Sequence, residues 1–206
     1  MITIAEVCQR ATVIPVLTVH DASQAAPLAQ ALVAGGLDVL EVTLRSDAAL
    51  EVISRMREAV PDAIVGVGTL LEPLQIKQAV KAGAQFGVSP GLTPKLLDAA
   101  QDLPLLPGVA TPSELMQGLE AGLEHFKFFP AAAAGGISML KAFNGPFAQA
   151  RFCPTGGIKP DNVKDYYSLA NVDCVGGTWI TPSPLIEAND WTAITELAQQ
   201  ACQQLA

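Results

Sequence analysis

Short apolar runs alternate with longer segments of 3.6-residue period from one end of the chain to the other, and that alternation leaves few folds open. The runs at Val13–Val19, Val39–Leu44, Ile64–Val67, Phe86–Ser89, Leu105–Pro107, His125–Phe129, Arg151–Thr155 and Val172–Gly176 read as eight strands. Between them lie amphipathic segments with helix punctuation. "AAPLAQALVAGG" puts Leu28, Leu32 and Val33 on one face and ends on Gly35-Gly36, a glycine C-cap signature. "EPLQIKQAVKAGA" has Pro73 in its first turn and Gly83 beyond its end. "DWTAITELAQQACQQL" opens on Asp190, an N-cap residue type, and carries Ile194, Leu197 and Ala201 on one stripe. Strand–helix alternation of this kind predicts a parallel sheet. Eight such units predict an α/β fold, a (β/α)8 TIM barrel at the small end for that architecture, in one domain spanning 1–206. Residues 4–10 predict a short extra helix ahead of the first strand. A doubly wound open sheet is the alternative, but no GxGxxG follows the first strand.

Strand parity then raises a question about polar residues. In "VLEVTLR", Leu40, Val42 and Leu44 alternate with Glu41, Thr43 and Arg45. In a barrel wrapped by helices the apolar set faces the helices, so the polar set faces the axis. The same parity in "HFKFF" sends Phe126 and Phe128 outward and His125, Lys127 and Phe129 inward. A lysine and a glutamate are therefore expected in one enclosed interior. One reading is a buried ion pair, which contributes little net stability. The other is chemical. An apolar enclosure favours the free amine of a lysine over its ammonium, and the free amine forms a Schiff base with a ketone or aldehyde. A neighbouring carboxylate then serves as general acid/base. Barrel enzymes keep their sites at the C-terminal strand ends, which favours the chemical reading. Arg45, at such an end, is a candidate clamp for a substrate carboxylate through paired guanidinium hydrogen bonds.

The loops add an anion site. "PTGGIKPDN" follows the seventh strand and "GGTW" the eighth, the two places where barrels bind phosphate with backbone N–H groups. "VGVGTL" places Thr69 after two glycines, and "VSPGLTP" bends the chain after the fourth strand. Either turn could admit a small ligand close to the backbone. "AAAAGG" gives the lysine strand a small-residue exit.

Composition excludes several classes. The chain is 50% hydrophobic and 16% charged with a formal net charge of −8, and it has no Lys/Arg cluster. Neither nucleic acid nor an anionic membrane surface is an expected partner. No stretch approaches the length of a membrane span, and the first residues lack the basic and apolar regions of a secretory signal, so a cytoplasmic protein is expected. Cys8, Cys153, Cys174 and Cys202 show no CxxC spacing and no nearby histidine at ligand spacing. They read as small hydrophobes in a reducing compartment, with no metal expected.

These motifs together carry a resemblance. "ALVAGGLDVLEVTLR", "AIVGVGTL", "GAQFGVSPGLT", "EHFKFFPA" and "RFCPTGGI" resemble the bacterial 2-keto-3-deoxy-6-phosphogluconate (KDPG) and 4-hydroxy-2-oxoglutarate (KHG) aldolase family, in family order from about Val13 to Trp179. The resemblance implies a class I aldolase of the Entner–Doudoroff pathway, without cofactor or metal, acting on a small-molecule 2-keto acid, and assembled as a homotrimer. It implies Lys127 as the Schiff-base lysine and Glu41 as the general acid/base. Arg45 and Thr69 then hold the pyruvyl carboxylate and keto region, and Pro90 and Phe129 wall the pocket. Thr155, Gly156, Gly157, Gly177 and Thr178 form the phosphate end. Two departures stand out: Thr178 replaces the serine frequent in the family, and Ala131–Ala134 lacks an acidic residue often found there. Two other functions remain open from sequence. They are a sugar-phosphate isomerase or epimerase, which needs no imine-forming lysine, and a non-catalytic phosphosugar-binding barrel.

Overall fold

In a computed structural model that describes residues 2–205, eight staves of parallel strand close into a barrel wrapped by helices. Met1 and Ala206, the ends of the expected domain span, lie outside the described residues. The strands are β1 (Val13–Leu17), β2 (Val39–Thr43), β3 (Ile64–Gly68), β4 (Gly87–Val88), β5 (Leu105–Leu106), β6 (Gly108–Val109), β7 (His125–Phe128), β8 (Arg151–Pro154) and β9 (Val175–Gly177). The helices are α1 (Ile4–Arg10), α2 (Ala25–Ala34), α3 (Ala49–Ala59), α4 (Pro73–Lys81), α5 (Pro94–Ala99), α6 (Pro112–Glu120), α7 (Gly136–Asn144), α8 (Val163–Tyr167), α9 (Ser183–Glu187) and α10 (Trp191–Leu205).

The ladder runs β5-β4-β3-β2-β1-β9 on one side and β6-β7-β8 on the other. The expected fifth strand, 105–107, is only the start of its stave: β5 covers its first two residues, Pro107, which has no N–H to donate, interrupts the ladder, and β6 continues beyond the expected end. The stave continues through Pro107, because the Lys127 N–H donates to its carbonyl (2.9 Å). Two isolated parallel bridges, Phe152 to Val172 and Thr155 to Gly176, join the β8 stave to the last stave and close the ring. The eighth strand was expected at 172–176. Instead regular pairing, with β1, begins at Val175, and the stave meets the β8 side through isolated bridges at Val172 and Gly176. Other strand ends differ from the expected ones by at most one residue, except that β1 stops two residues early, before Thr18 and Val19.

Two apolar shells hold this together. The outer shell packs strand faces against helices, with Leu28, Leu32, Leu40, Val42, Ile53, Phe126 and Phe128 fully buried. Phe128 meets the Phe143 ring edge-on at 6.1 Å, and Phe143 stacks on Phe152 at 5.8 Å. The smaller inner shell contains Ile14, Val39, Ile64, Phe86, Val88 and Leu106 with Cys153 and Cys174. α1 plugs its lower end with Val7 and Cys8 and is set by a reciprocal cap, the Glu6 N–H on Thr3 Oγ1 and the Thr3 N–H on the Glu6 carboxylate. The four thiols are unpaired, three buried and Cys202 half-buried. On α10 the Asp190 carboxylate caps the Ala193 N–H as expected. The buried stripe is Ile194, Ala198, Ala201 and Leu205, with Leu197 only partly covered, because Ala198 is the residue that meets α2 at Gly35. No helix among the described residues is long and apolar enough to cross a membrane, and no group of three or more His, Cys, Asp or Glu is placed to hold a metal ion.

His125 shares the inward parity of Lys127 but sits at the opposite end of the barrel. Its Nε2 lies 3.5 Å from Asp173 Oδ2, and Arg151 Nε donates to Asp173 Oδ1 at 2.8 Å. Burial pushes the imidazole below its usual 6.5; Asp173 and Glu124 oppose that shift and Arg151 adds to it. As pH falls through 6.5 the unfolded chain takes up this proton before the folded one does, so folding stability should fall with it. Urea unfolding of the wild type and His125→Gln between pH 7.5 and about 5.5 checks this. The variant should show a shallower decline, and an unchanged decline would mean that other groups set it.

Candidate active site

At the C-terminal strand ends the barrel opens into a cavity of about 340 Å³. Its floor is Lys127, whose Nζ stands 3.3 Å from Glu41 Oε1, a side chain contributed from across the barrel by β2. Lys127 is 6% exposed and Glu41 3%, so the contact is shielded from solvent screening on nearly every side. Nζ also lies 5.3 Å from the centroid of the Phe129 ring. Among the described residues, no buried side-chain nitrogen or oxygen lacks a hydrogen-bond partner.

Of the residues expected from sequence, Lys127, Arg45, Thr69, Pro90, Phe129, Thr155, Gly156, Gly157, Gly177 and Thr178 line this cavity together. Glu41 does not line it but lies behind the lysine. Sequence reasoning missed Val16 and Ile158, while Gly176 belongs to the "GGTW" segment that it read as part of the anion site. Val16 was accessible to it, since β1 parity places Val16 and Ile14 on the same inner face and Val16 pairs with Glu41. Ile158 carries no comparable signal, because an apolar residue after a glycine turn reads as ordinary core.

Local backbone structure explains several placements. Thr43, adjacent to the site on β2, is buried, donates to the Leu17 carbonyl (2.8 Å) and lies 2.9 Å from Thr18 Oγ1, fastening β2 to β1. Gly156 and Gly157 both adopt left-handed φ (95° and 80°), which only glycine does at little strain, and they turn the chain sharply above the floor. The Ala132 N–H donates to the Gly156 carbonyl and Asn162 Nδ2 to the Gly157 carbonyl, fixing that turn. Thr178, where a serine is frequent in the family, lines the cavity. Thr69 is the unusual residue: a β-branched side chain at φ 63°. The flanking ladder holds it there, with the Leu44 N–H on the Gly68 carbonyl and the Leu70 N–H on the Val88 carbonyl. Such strain at a cavity wall is what functional positions show.

The arrangement can do particular chemistry. An enclosed amine can attack a carbonyl carbon, and a carboxylate in contact with it can take and return protons. Arg45 at the rim offers a guanidinium to an anionic substrate group. A closed parallel barrel with such a pair at the floor of its C-terminal cavity defines an enzyme of the carbonyl-processing, lysine-dependent type. The chain belongs to the KDPG and KHG aldolase family, whose family model matches residues 4–197. A KHG/KDPG aldolase of Escherichia coli (strain K12) is 52% identical over 193 residues, covering 93% of this chain and 91% of that protein. The crystal structure of a KDPG aldolase from Legionella pneumophila, with pyruvate captured at low pH as a covalent carbinolamine intermediate, is 51% identical. It superposes with a TM-score of 0.92 over 94% of this chain and 95% of that one. The KDPG aldolase of Zymomonas mobilis ZM4 with 3-phosphoglycerate gives the same TM-score at 49% identity, covering 96% and 94%.

The strain at Thr69 makes a stability prediction. Glycine removes a penalty of about 1–3 kcal/mol at this φ and adds about 1 kcal/mol of unfolded-state entropy. Thr69→Gly should therefore be at least as stable as the wild type in urea titration. A loss above about 1 kcal/mol would show that the threonine side chain contributes more than its backbone costs.

Proposed function

We propose that the chain is a class I aldolase that cleaves KDPG to pyruvate and glyceraldehyde 3-phosphate, and 4-hydroxy-2-oxoglutarate to pyruvate and glyoxylate in the same site. The observation that carries this reading is the 3.3 Å contact between Lys127 Nζ and Glu41 Oε1 at the floor of an enclosed cavity. The covalent carbinolamine that pyruvate forms in the Legionella relative supports it.

Lys127 Nζ attacks the C2 ketone, and Glu41 carries the proton from nitrogen to the new hydroxyl. Glu41, which has taken a proton from Lys127 before the attack, gives it to that hydroxyl, which leaves as water; an iminium conjugated to C3 and a Glu41 carboxylate remain. Glu41, through a water, takes the proton from the C4 hydroxyl; the C3–C4 bonding pair moves into the iminium and the aldehyde departs. The resulting enamine is protonated at C3, and water hydrolyses the imine to release pyruvate and the free lysine. Preorganised acid–base catalysis of this kind is worth about 10²–10⁴-fold.

Arg45 and Thr69 hold the carboxylate and keto end, and Pro90 and Phe129 form the walls. Thr155, Gly156, Gly157, Gly177 and Thr178 receive the phosphate end, a reading supported by their shared cavity and by the two left-handed glycines. The 3-phosphoglycerate in the Zymomonas relative is consistent with a phosphate-bearing ligand. We further infer a cytoplasmic homotrimer of one domain per chain, placed in the Entner–Doudoroff pathway. Family membership supports that inference, and exposed Leu71, Leu74 and Met116 offer apolar contact surface for assembly.

Incubation with pyruvate and borohydride followed by peptide mass mapping tests the chemistry. A reduced pyruvyl adduct on Lys127 is expected, and Lys127→Ala should give neither adduct nor cleavage. Glu41→Gln should fold normally and lose about a hundredfold or more of turnover. An adduct elsewhere, or a folded Glu41→Gln protein with full turnover, would reject the assignment.

A further inference from the structure

β3 brings two glycines to the barrel interior, and a side chain from a neighbouring strand or loop fills each space. A Cβ at Gly66 would meet the Phe86 ring at 2.3 Å, and one at Gly68 would meet Glu41 Oε1 at 2.1 Å. The three atoms nearest to that added carbon at Gly68 are Oε1, Cδ and Cγ of Glu41, the last two at 2.8 Å. Gly68 is not among the residues with positive φ, so its backbone conformation is one that any L-residue adopts. Its carbonyl accepts an ordinary ladder bond from Leu44, and it pairs in register with Thr43. The pressure for glycine at 68 therefore comes from the carboxylate and not from the chain path. Glu41 is held between two fixed surfaces, the bare α-carbon of Gly68 and the Lys127 amine 3.3 Å from Oε1.

The geometry points to Gly68 as a positioning residue: its missing side chain is the seat that keeps the Glu41 carboxylate against Lys127. This deepens the reading of Glu41 as the proton carrier and rests on it. Any side chain at 68 displaces Oε1, and displacement of a reacting group by about 1 Å costs on the order of a hundredfold in rate.

Kinetics of KDPG cleavage by Gly68→Ala, Glu41→Asp and the double variant test this, with Tm measured on each. Gly68→Ala should lose about a hundredfold in kcat while KM stays within about threefold, because the loss falls on proton transfer rather than on binding. Glu41→Asp lacks the oxygen that the added methyl would meet at 2.1 Å and leaves only the milder 2.8 Å contact at Cγ, so it eases the clash. The double variant should therefore retain about tenfold more activity than the product of the two single losses. Folded Gly68→Ala with unchanged kcat, or losses that simply multiply, would overturn the proposal. If Gly68→Ala does not fold, Glu41→Ala and Gly68→Ala/Glu41→Ala decide instead. With the carboxylate removed the double variant should match the single in Tm, whereas a double variant that also fails to fold would show that Gly68 serves the backbone. The two readings fail separately: a fully active Glu41→Gln removes the role of Glu41, while an inactive Glu41→Gln beside a fully active Gly68→Ala removes only the seat.

Discussion

Taking an ammonium and a carboxylate out of water is expensive, and their mutual attraction recovers that expense only when geometry is good and the remaining polar groups are satisfied. Lys127 and Glu41 meet this condition inside the barrel, 3.3 Å apart and each less than a tenth exposed. They come from opposite staves, 86 residues apart in sequence, so the contact exists only if the ring closes in the right register. Closure in turn depends on the two weakest joints of the sheet, the Pro107 interruption and the pair of isolated bridges, Phe152–Val172 and Thr155–Gly176. A rigid cylinder of parallel strands can hold such a pair where a flexible loop would let water in.

The inner face shows how that rigidity is shared out. Below, Ile14, Val39, Ile64, Phe86 and Leu106 fill the cylinder with apolar volume, and α1 stoppers the end. Above, small residues and hydroxyls replace bulk: a Cβ at Gly176 would meet Thr155 Oγ1 at 2.3 Å, and one at Gly108 would meet the Pro90 carbonyl at 2.2 Å. Glycine thus recurs wherever a cavity group leans across onto a neighbouring strand. The apolar half stabilises the fold by burial, roughly 25 cal/mol per Å² removed from water. The half with glycines sacrifices some of that burial to make room for chemistry.

Much of the site was legible before any coordinates, and the physical reason is the strict two-residue period of a strand. Parity alone sent Glu41 and Lys127 to the axis and Phe126 and Phe128 to the helices, and the structure places all four accordingly. The same rule left His125 on the inner face without saying at which end, because parity reports which face a side chain takes and not how far along the barrel it sits. It was also silent on the glycines of "VGVGT", which read as room for a ligand. In the fold that room is taken by Phe86 and Glu41, since strands distant in sequence lean into it. Ile158 was unreadable for a similar reason, as its exposure to the cavity depends on how the left-handed turn at Gly156 and Gly157 is pinned by Ala132 and Asn162.

Sequence by itself determined the alternation of strand and helix, the inward parity of the lysine and glutamate, and the left-handed glycine pair beyond β8. These are local properties, set by side-chain periodicity and by backbone conformations that only glycine adopts freely. The tertiary structure alone decided the 3.3 Å separation of Nζ from Oε1, the strained turn at Thr69, the isolated bridges by which the last stave meets β8, and the seat at Gly68. Each of those depends on the register between strands far apart in the chain. Register is set by the closing of the whole ring, which no single stretch of residues encodes.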